Sequence, residues 1–347
     1  MPDRAERGTS VTSLVLAGDI GGTSTRIGLF EVAAGRLAAV AKEHYVSRDH
    51  SGLDAIVRAF RAAHADPIVG ACFGVPGPVM NGRVDAPNLA WGVDERELAR
   101  TIGLPSVGLI NDLEANAHGI FTLSPADFVV LNEGAPDAVG NIAVISAGTG
   151  LGEAGMYWDG VQHHPFATEG GHADFGPHSD AEVELLRHLR RRFGSHVSAE
   201  RVVSGPGLAN IYEFARDTGL GTEPEWLTRA IREGDPPAVI SQAGLAGTSD
   251  LCVRALDLFV EAYGDEAGNL ALKLMAKGGV YLGGGIAPRI IDKLKGPAFM
   301  AAFTAKGRLE PLLRSMPVKV IANDQTALFG AARRAALHAH LIQPVAR

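Results

Sequence analysis

A two-domain α/β fold is predicted by three features of this sequence. Buried strands alternate with helices through the first third of the chain. One glycine-tipped hairpin occurs twice, and 347 residues exceed what a single hydrophobic core of ordinary size organises. Alternating strands and helices imply a parallel sheet with helices packed against it. The two hairpin tips, at 21–23 and 148–150, lie about 130 residues apart, one domain's worth of chain, and duplication is the natural reading.

Residues 1–12 are polar and charged and read as a disordered lead. The first hairpin climbs through Leu14-Val15-Leu16-Ala17-Gly18-Asp19-Ile20, turns at Gly21-Gly22-Thr23-Ser24 and returns through Phe30. Short β-rich runs flanking glycines that tolerate unusual backbone angles are a hairpin signature. A third strand follows over 36–46. Leu53, Ile56, Val57 and Phe60 recur at helical spacing, which predicts an amphipathic helix over 53–63. Residues 67–75 form a buried strand running into a stiff Gly/Pro loop, 95–102 a short helix, and 107–110 a strand ending in Asn111-Asp112. A helix starts near Glu114. The pattern restarts at 141–158, with Asp159-Gly160 as the next hairpin turn.

The second half turns helical. Ser179 or Asp180 caps a helix that Gly194 stops after Phe193, and helices follow at 226–231 and 249–263. The basic run Arg187-His188-Leu189-Arg190-Arg191-Arg192 ends the first of these, where cations complement the helix dipole. A strand over 278–282 leads to a third glycine turn, Gly283-Gly284-Gly285; 318–321 is the last strand, and a helix from about Gln325 to Leu341 closes the chain.

Composition excludes several classes. Hydrophobic content of 46% and charged content of 20% are globular values. A net charge of −7 argues against nucleic acid or an anionic membrane as the main partner. Cys72 and Cys252 are the only cysteines, too few for a disulfide framework or a cysteine zinc site, and this fits a reducing cytoplasm. No stretch has the roughly 20 apolar residues of a membrane span, so a soluble cytoplasmic protein is expected.

In open α/β sheets ligands bind beyond the carboxyl ends of strands, where Asp19, Asn111 and Asp112 all fall. The amides of the 21–23 turn and the Thr23 hydroxyl can bind an anion, with Asp19 near enough to hold its metal; a tight hairpin with a solvated aspartate fits the same residues equally well. Asn111-Asp112 reads evenly as a helix N-cap or as a hydroxyl-orienting amide beside a general base. The third glycine turn leaves room for a flat base or ribose against the backbone. His163, His164, Glu169, His172 and Asp174 are near in sequence but match no zinc spacing. The run after Gly148 enters a strand and not the helix of a dinucleotide fold, and no Walker sequence exists.

Six motifs in order carry a resemblance: Gly18-Asp19-Ile20-Gly21-Gly22-Thr23, Leu109-Ile110-Asn111-Asp112, Gly148-Thr149-Gly150-Leu151-Gly152, Glu169-Gly170-Gly171-His172-Ala173-Asp174-Phe175, 198–207, and Gly283-Gly284-Gly285-Ile286-Ala287-Pro288. The chain resembles the bacterial-type glucokinases of the hexokinase and actin-like ATPase superfamily over nearly its whole length. That resemblance implies an actin-like ATPase (ribonuclease H-like) fold, with a cleft between a smaller α/β domain (13–120 plus 322–347) and a larger α+β domain (121–321). It implies ATP-dependent phosphorylation of glucose to glucose 6-phosphate, the first step of glycolysis, with Asp112 as the general base. Asn88, Asn111, Glu169, His172 and Glu200 would bind the sugar, although Glu200 alone reads as a surface helix carboxylate. Gly21, Gly22, Thr23, Gly148, Thr149 and Gly150 would bind the ATP phosphates, Gly284 and Gly285 the adenosine, and Asp19 the Mg²⁺, directly or through water. Arg26 is the one cation in these loops, so Mg²⁺ and backbone dipoles would do most of the neutralisation.

The zinc-containing branch of related kinases and repressors carries a cysteine cluster after this Glu-Gly-Gly-His segment. Here Ala173 to Pro177 has none, and structural zinc is not implied. Ser24 stands where the family often has Asn. A homodimer is implied, with Asn269-Leu270-Ala271-Leu272 as a candidate surface, core packing being the plainer alternative. Two alternatives remain: a kinase for mannose, fructose or an N-acetylated hexosamine, and a non-catalytic sugar-sensing regulator. The regulator would need about 60 further residues for a DNA-binding domain, and about a dozen precede the first strand.

Overall fold

In the computed structural model, which describes residues 12–85, 89 and 91–343, strand β1 (Ser13–Ile20) is covered on both faces. The expected lead at 1–12 lies outside the described residues except for Thr12, and Asn88 lies outside them as well. β1 pairs antiparallel with β2 (Ser24–Ala33), which pairs antiparallel with β3 (Arg36–Val46). α1 (Leu53–Ala63) carries the chain to β4 (Gly70–Val75), parallel to β1. A short ribbon of β5 (Arg83–Val84) and β6 (Val93–Asp94) and then α2 (Glu95–Ile102) lead to β7 (Gly108–Asn111), parallel to β4, and to α3 (Asp112–Ile120). The sheet order is β3-β2-β1-β4-β7.

Successive side chains of a strand point to opposite faces. Leu16 therefore packs with Leu53, Ile56 and Phe60 of α1 and Leu98 of α2, whereas Val15 and Ala17 pack with Ala115 of α3 and with Leu328, Ala331 and Ala335 of the last helix, Thr326–His338. The near-continuous apolar run of β1 follows from that double burial. α2 starts where its sequence says: the Asp94 carboxylate accepts from the amides of Arg96 and Glu97, and Gly103 ends it at φ 80°. These elements form one compact unit, running to Leu123 and resuming at Gln325.

The second unit, Ser124–Asp324, holds β8 (Phe128–Asn132), β9 (Ile142–Ala147), β10 (Leu151–Trp158), β11 (His163–Thr168), β12 (Gly279–Gly283) and β13 (Val318–Ile321), in the order β11-β10-β9-β12-β13-β8. The pairings of β9 to β13 repeat those of the first sheet: two antiparallel neighbours on one side of β9, two successive parallel pairs on the other. β8 is an added antiparallel edge strand on β13. Its helices are α4 (Asp180–Phe193), α5 (Gly205–Asp217), α6 (Glu225–Glu233), α7 (Pro236–Leu245), α8 (Asp250–Leu274), α9 (Ile291–Leu294), α10 (Pro297–Thr304) and α11 (Glu310–Arg314).

Two expectations change. The helix expected to end at 263 continues to Leu274, through Gly264 and Gly268. A Cβ at either glycine would run into the carbonyl of Phe299 or Phe303, so these residues seat α10 closely against α8 and do not break it. The continuation also decides Asn269-Leu270-Ala271-Leu272. Leu270 and Ala271 belong to the unit's own core at 3% and 0% exposure and Leu272 packs against it, so the core reading describes these residues. Among the described residues no helix is long and apolar enough to cross a membrane.

Candidate active site

Strands β1, β4 and β7 end together. Asp19 stands opposite Gly74, Gly74 opposite Ile110, and Val75 opposite Asn111. A Cβ on Gly74 would lie 2.9 Å from Ala115 Cβ and 3.8 Å from Asp112 Cα, so only glycine leaves the space at this strand end open. Asp19 and Asp112 thus stand on either side of the end of β4. Asn111 is the N-cap of α3: its Oδ1 accepts from Leu113 N at 2.8 Å and Glu114 N at 3.4 Å. Its Nδ2 donates to the Gly77 carbonyl of the Gly/Pro loop at 3.1 Å, which leaves one amide N–H to offer. The helix therefore starts two residues before Glu114, with the half-buried Asp112 as its first residue.

The turn after β1 is held from below by Ser47. Ser47 N donates to Thr23 O at 3.1 Å and its Oγ to Gly21 O at 2.7 Å. Ser47 is 2% exposed and also meets the Thr25 hydroxyl at 3.0 Å. In a trans peptide the C=O and the following N–H point opposite ways. With both carbonyls turned to Ser47, the amides of Gly22 and Ser24 point away from it, toward the side on which Gly22 and Thr23 are exposed. That is the geometry an anion needs.

The turn after β9 is held differently. Gly205 N, opening α5, donates to Gly148 O at 2.8 Å, and Glu200 Oε2 accepts from Leu151 N at 3.0 Å. A Cβ on Gly150 would come within 2.5 Å of the same Glu200 oxygen. The third turn leans on the second: Ile286 N donates to Ala147 O at 3.2 Å, and Gly284, at φ +79°, sits where a Cβ would overlap that carbonyl. Gly285 is exposed, with nothing near its missing side chain. Glu200 is thus partly buried against a glycine turn, and the surface-carboxylate reading does not describe it.

Glu169 precedes and His172 ends a single 3-10 turn, Gly170–His172, and both are exposed. The turn is stitched to the Glu200 segment by Ala199 N to Ala173 O at 2.9 Å and by Phe175 N to Val197 O at 2.8 Å. Glu169, His172, Glu200 and the 148–150 turn are therefore brought together within the second unit, as Asp19, the 21–23 turn and Asn111-Asp112 are within the first. The neighbouring histidines go elsewhere. His164 bonds Asp159 at 2.6 Å and holds that carboxyl down to about 2, His163 bonds the Gly140 carbonyl, and His196 bonds Asp174.

Ser47 carried no local signal, because its partners lie 22 to 26 residues away. Glu153 is a second such residue. It is 1% exposed on β10 beside the Gly170 backbone, and burial first and Glu266 second push its carboxyl up.

The glucokinase family profile matches residues 16–338. A glucokinase of Nostoc sp. strain PCC 7120 is 41% identical over 342 residues, spanning 93% of this chain and 99% of its own. The crystal structure of a glucokinase from an Antarctic psychrotroph superposes with a TM-score of 0.81 at 31% identity, covering 94% of this chain and 99% of that one. At 20% identity, a Streptomyces griseus enzyme solved with glucose and AMPPNP shares the fold, with a TM-score of 0.62 and coverage of 94% and 100%. With its twice-used sheet and its near-complete alignment, this chain belongs to the glucokinase family.

Proposed function

We propose that this chain transfers the γ-phosphoryl group of ATP to the 6-hydroxyl of D-glucose. The observation that carries the reading is the position of Asp112, first residue of α3 beyond the carboxyl end of β7, in a chain matched to glucokinases along its length. A sugar hydroxyl is a weak nucleophile. The Asp112 carboxylate orients it and takes its proton as the bond to phosphorus forms. Asn111, anchored by its cap and by Gly77, offers its remaining N–H to a neighbouring hydroxyl. Glu169, His172 and Glu200 hold the other hydroxyls; each carboxylate accepts two hydroxyl hydrogen bonds, which lets the site read stereochemistry. Asn88 belongs to the same proposal.

On the donor side the outward amides of Gly22 and Ser24 and those of Thr149 and Gly150 hold phosphate oxygens; the amides of Gly21 and Gly148, expected among them, are instead spent on Ser24 O and Gly150 O, both at 2.8 Å, and exposed Gly285 beside Gly284 accepts the adenosine. Mg²⁺ keeps several waters and takes one or two carboxylates besides substrate phosphates. The single half-buried carboxylate of Asp19 beside its turn fits that requirement, and among the described residues there is no larger cluster of metal-ligating side chains. Bound there, the ion would neutralise phosphate charge.

The proposal includes a cytoplasmic homodimer, whose interface does not use the buried Leu270 and Ala271. Light scattering of the purified protein tests the dimer. A coupled assay that varies sugar and donor together tests the activity. Glucose with MgATP should give the highest kcat/KM, and equal turnover of mannose, fructose or N-acetylglucosamine would overturn the glucose assignment.

A further inference from the structure

Beneath the Gly170–His172 turn lies a pair of buried carboxyls that phosphoryl transfer leaves unused. Glu153, on β10, is 1% exposed, and Glu266, on α8, is 7% exposed. A Cβ at Gly170 would overlap Glu153 Oε2, so this carboxyl fills the space under the backbone that joins Glu169 to His172. Thr168 ties the same elements together. Its Oγ1 donates to Glu153 O at 2.9 Å and accepts from Gly170 N at 3.1 Å.

The titratable and charged groups around the pair are few. α8 contributes Glu266, Lys273 and the buried Tyr263, β11 adds the Thr168 hydroxyl, and β9 faces the pair with Ile145 and its backbone, while Glu169 and His172 of the turn itself are exposed. Glu266 is supplied with donors: Lys273 Nζ at 3.5 Å from Oε1 and Asn269 Nδ2 at 3.2 Å from Oε2. Glu153 Oε1, by contrast, has no hydrogen-bond partner among the described residues. Two buried carboxyls in contact do not both ionise. The proton therefore belongs on Glu153, which burial and Glu266 push up to about 8 against the opposing charge of Lys273.

We propose that Glu153, held protonated against Glu266, is a positioning residue for the sugar-reading turn: its neutral carboxyl seats the Gly170 backbone and so sets Glu169 and His172. The proposal rests on the reading that those two residues bind sugar. Loss of the proton places a second buried negative charge beside Glu266 and against the Gly170 backbone, and like-charge repulsion drives the Glu153 carboxylate from its seat and shifts the turn. Sugar affinity then falls as pH rises. The proton transfer assigned to Asp112 is a separate event.

Calorimetric binding of glucose alone, without nucleotide, from about pH 6.5 to about pH 9.5 tests this. The wild-type dissociation constant should rise about tenfold across that range as the Glu153 proton is lost. Glu153→Gln keeps a neutral side chain of the same shape and should reduce the rise to below about twofold. Glu266→Gln removes the like charge and should move the rise to lower pH. A flat wild-type profile, or a Glu153→Gln profile with the wild-type slope, overturns the proposal. If Glu153→Gln does not fold, the Glu266→Gln profile decides, and an unmoved rise there overturns it. Glu169→Gln separates the two readings. No loss of glucose affinity in that variant sinks the sugar reading itself, whereas a loss at every pH beside an unaltered Glu153→Gln slope sinks only the positioning role.

Discussion

In the first unit the glycine turn after β1 is held by the buried hydroxyl of Ser47; in the second, the turn after β9 is held by the carboxylate of Glu200 and the amide of Gly205. Strand pairing on either side of the two turns is the same, so the difference lies in what braces them. A neutral hydroxyl that donates to one carbonyl and meets another hydroxyl is filled by its structural duty. A carboxylate that accepts one amide keeps acceptor capacity for a ligand. On the proposed function the first turn would serve the donor anion alone, whereas the second would share its brace with the proposed sugar residues. The buried titratable groups differ in the same way. The first unit buries a neutral imidazole, His118, and the second a protonated carboxyl, Glu153.

The largest effect is expected at the base proposed for the first unit. Asp112→Asn should lower kcat by about 10²–10⁴, the usual worth of general-base catalysis, while glucose binding by calorimetry persists. Activity within tenfold of wild type would remove Asp112 from that role. The shared brace of the second turn comes next. Gly150→Ala pushes a methyl against Glu200 Oε2, and should weaken glucose binding measured without nucleotide by about tenfold, or about 1.4 kcal/mol. Gly148→Ala, with nothing within 4 Å of the added Cβ, should change that same binding by less than about twofold. Equal effects would mean that the turn and the sugar residues are independent.

Ser47→Ala sharpens the other half of the comparison. It leaves the Gly21 carbonyl and the Thr25 hydroxyl without their partner, at a cost of about 1–3 kcal/mol in unfolding free energy. It should raise the KM for ATP and leave glucose affinity alone. A parallel loss of glucose affinity would show that the first turn is not dedicated to the donor. The smallest effects are slopes of melting temperature against pH. His118 is depressed to about 3, first by burial and then by Arg333 and Arg334, so although it sits 3.9 Å from Glu114 it stays neutral in the fold. The unfolded chain binds the extra proton, and stability falls as pH drops from the unfolded value of 6.5 toward 3. Glu153 has the opposite sign. The folded chain holds the extra proton, and stability falls as pH rises from 4.5 toward about 8. His118→Asn should flatten the acid slope and Glu153→Gln the alkaline one; interchange of the two slopes would refute both assignments.

Much of the fold was legible because local patterns carried it. The helices at 53–63 and 95–102 and the strands at 36–46 and 318–321 stand at the residues their periodicity names. The misses share a cause. α5 begins in Gly205-Pro206-Gly207 and α8 runs through Gly264 and Gly268, where local propensity argues against helix and tertiary packing overrides it. β8, a half-buried antiparallel edge strand, carries neither the continuous apolar run of a central strand nor a clean alternation. The site divides in the same manner. Asp19, Asn111-Asp112 and the three glycine turns stand at strand ends that the sequence marks, whereas Ser47 and Glu153 act through partners far along the chain.

By itself the sequence determined the repeated hairpin, the strand-end carboxylates and the family motifs, since each is a pattern within a few neighbouring residues. It left Asn111-Asp112 open between a cap and a catalytic pair. Only the tertiary structure tied the Asn111 amide to the Gly77 carbonyl, put Glu200 on the amide of Leu151, and set Glu153 beneath Gly170. A hydrogen bond or a shared proton depends on distances of a few ångströms between segments, and those distances exist only once the chain has packed.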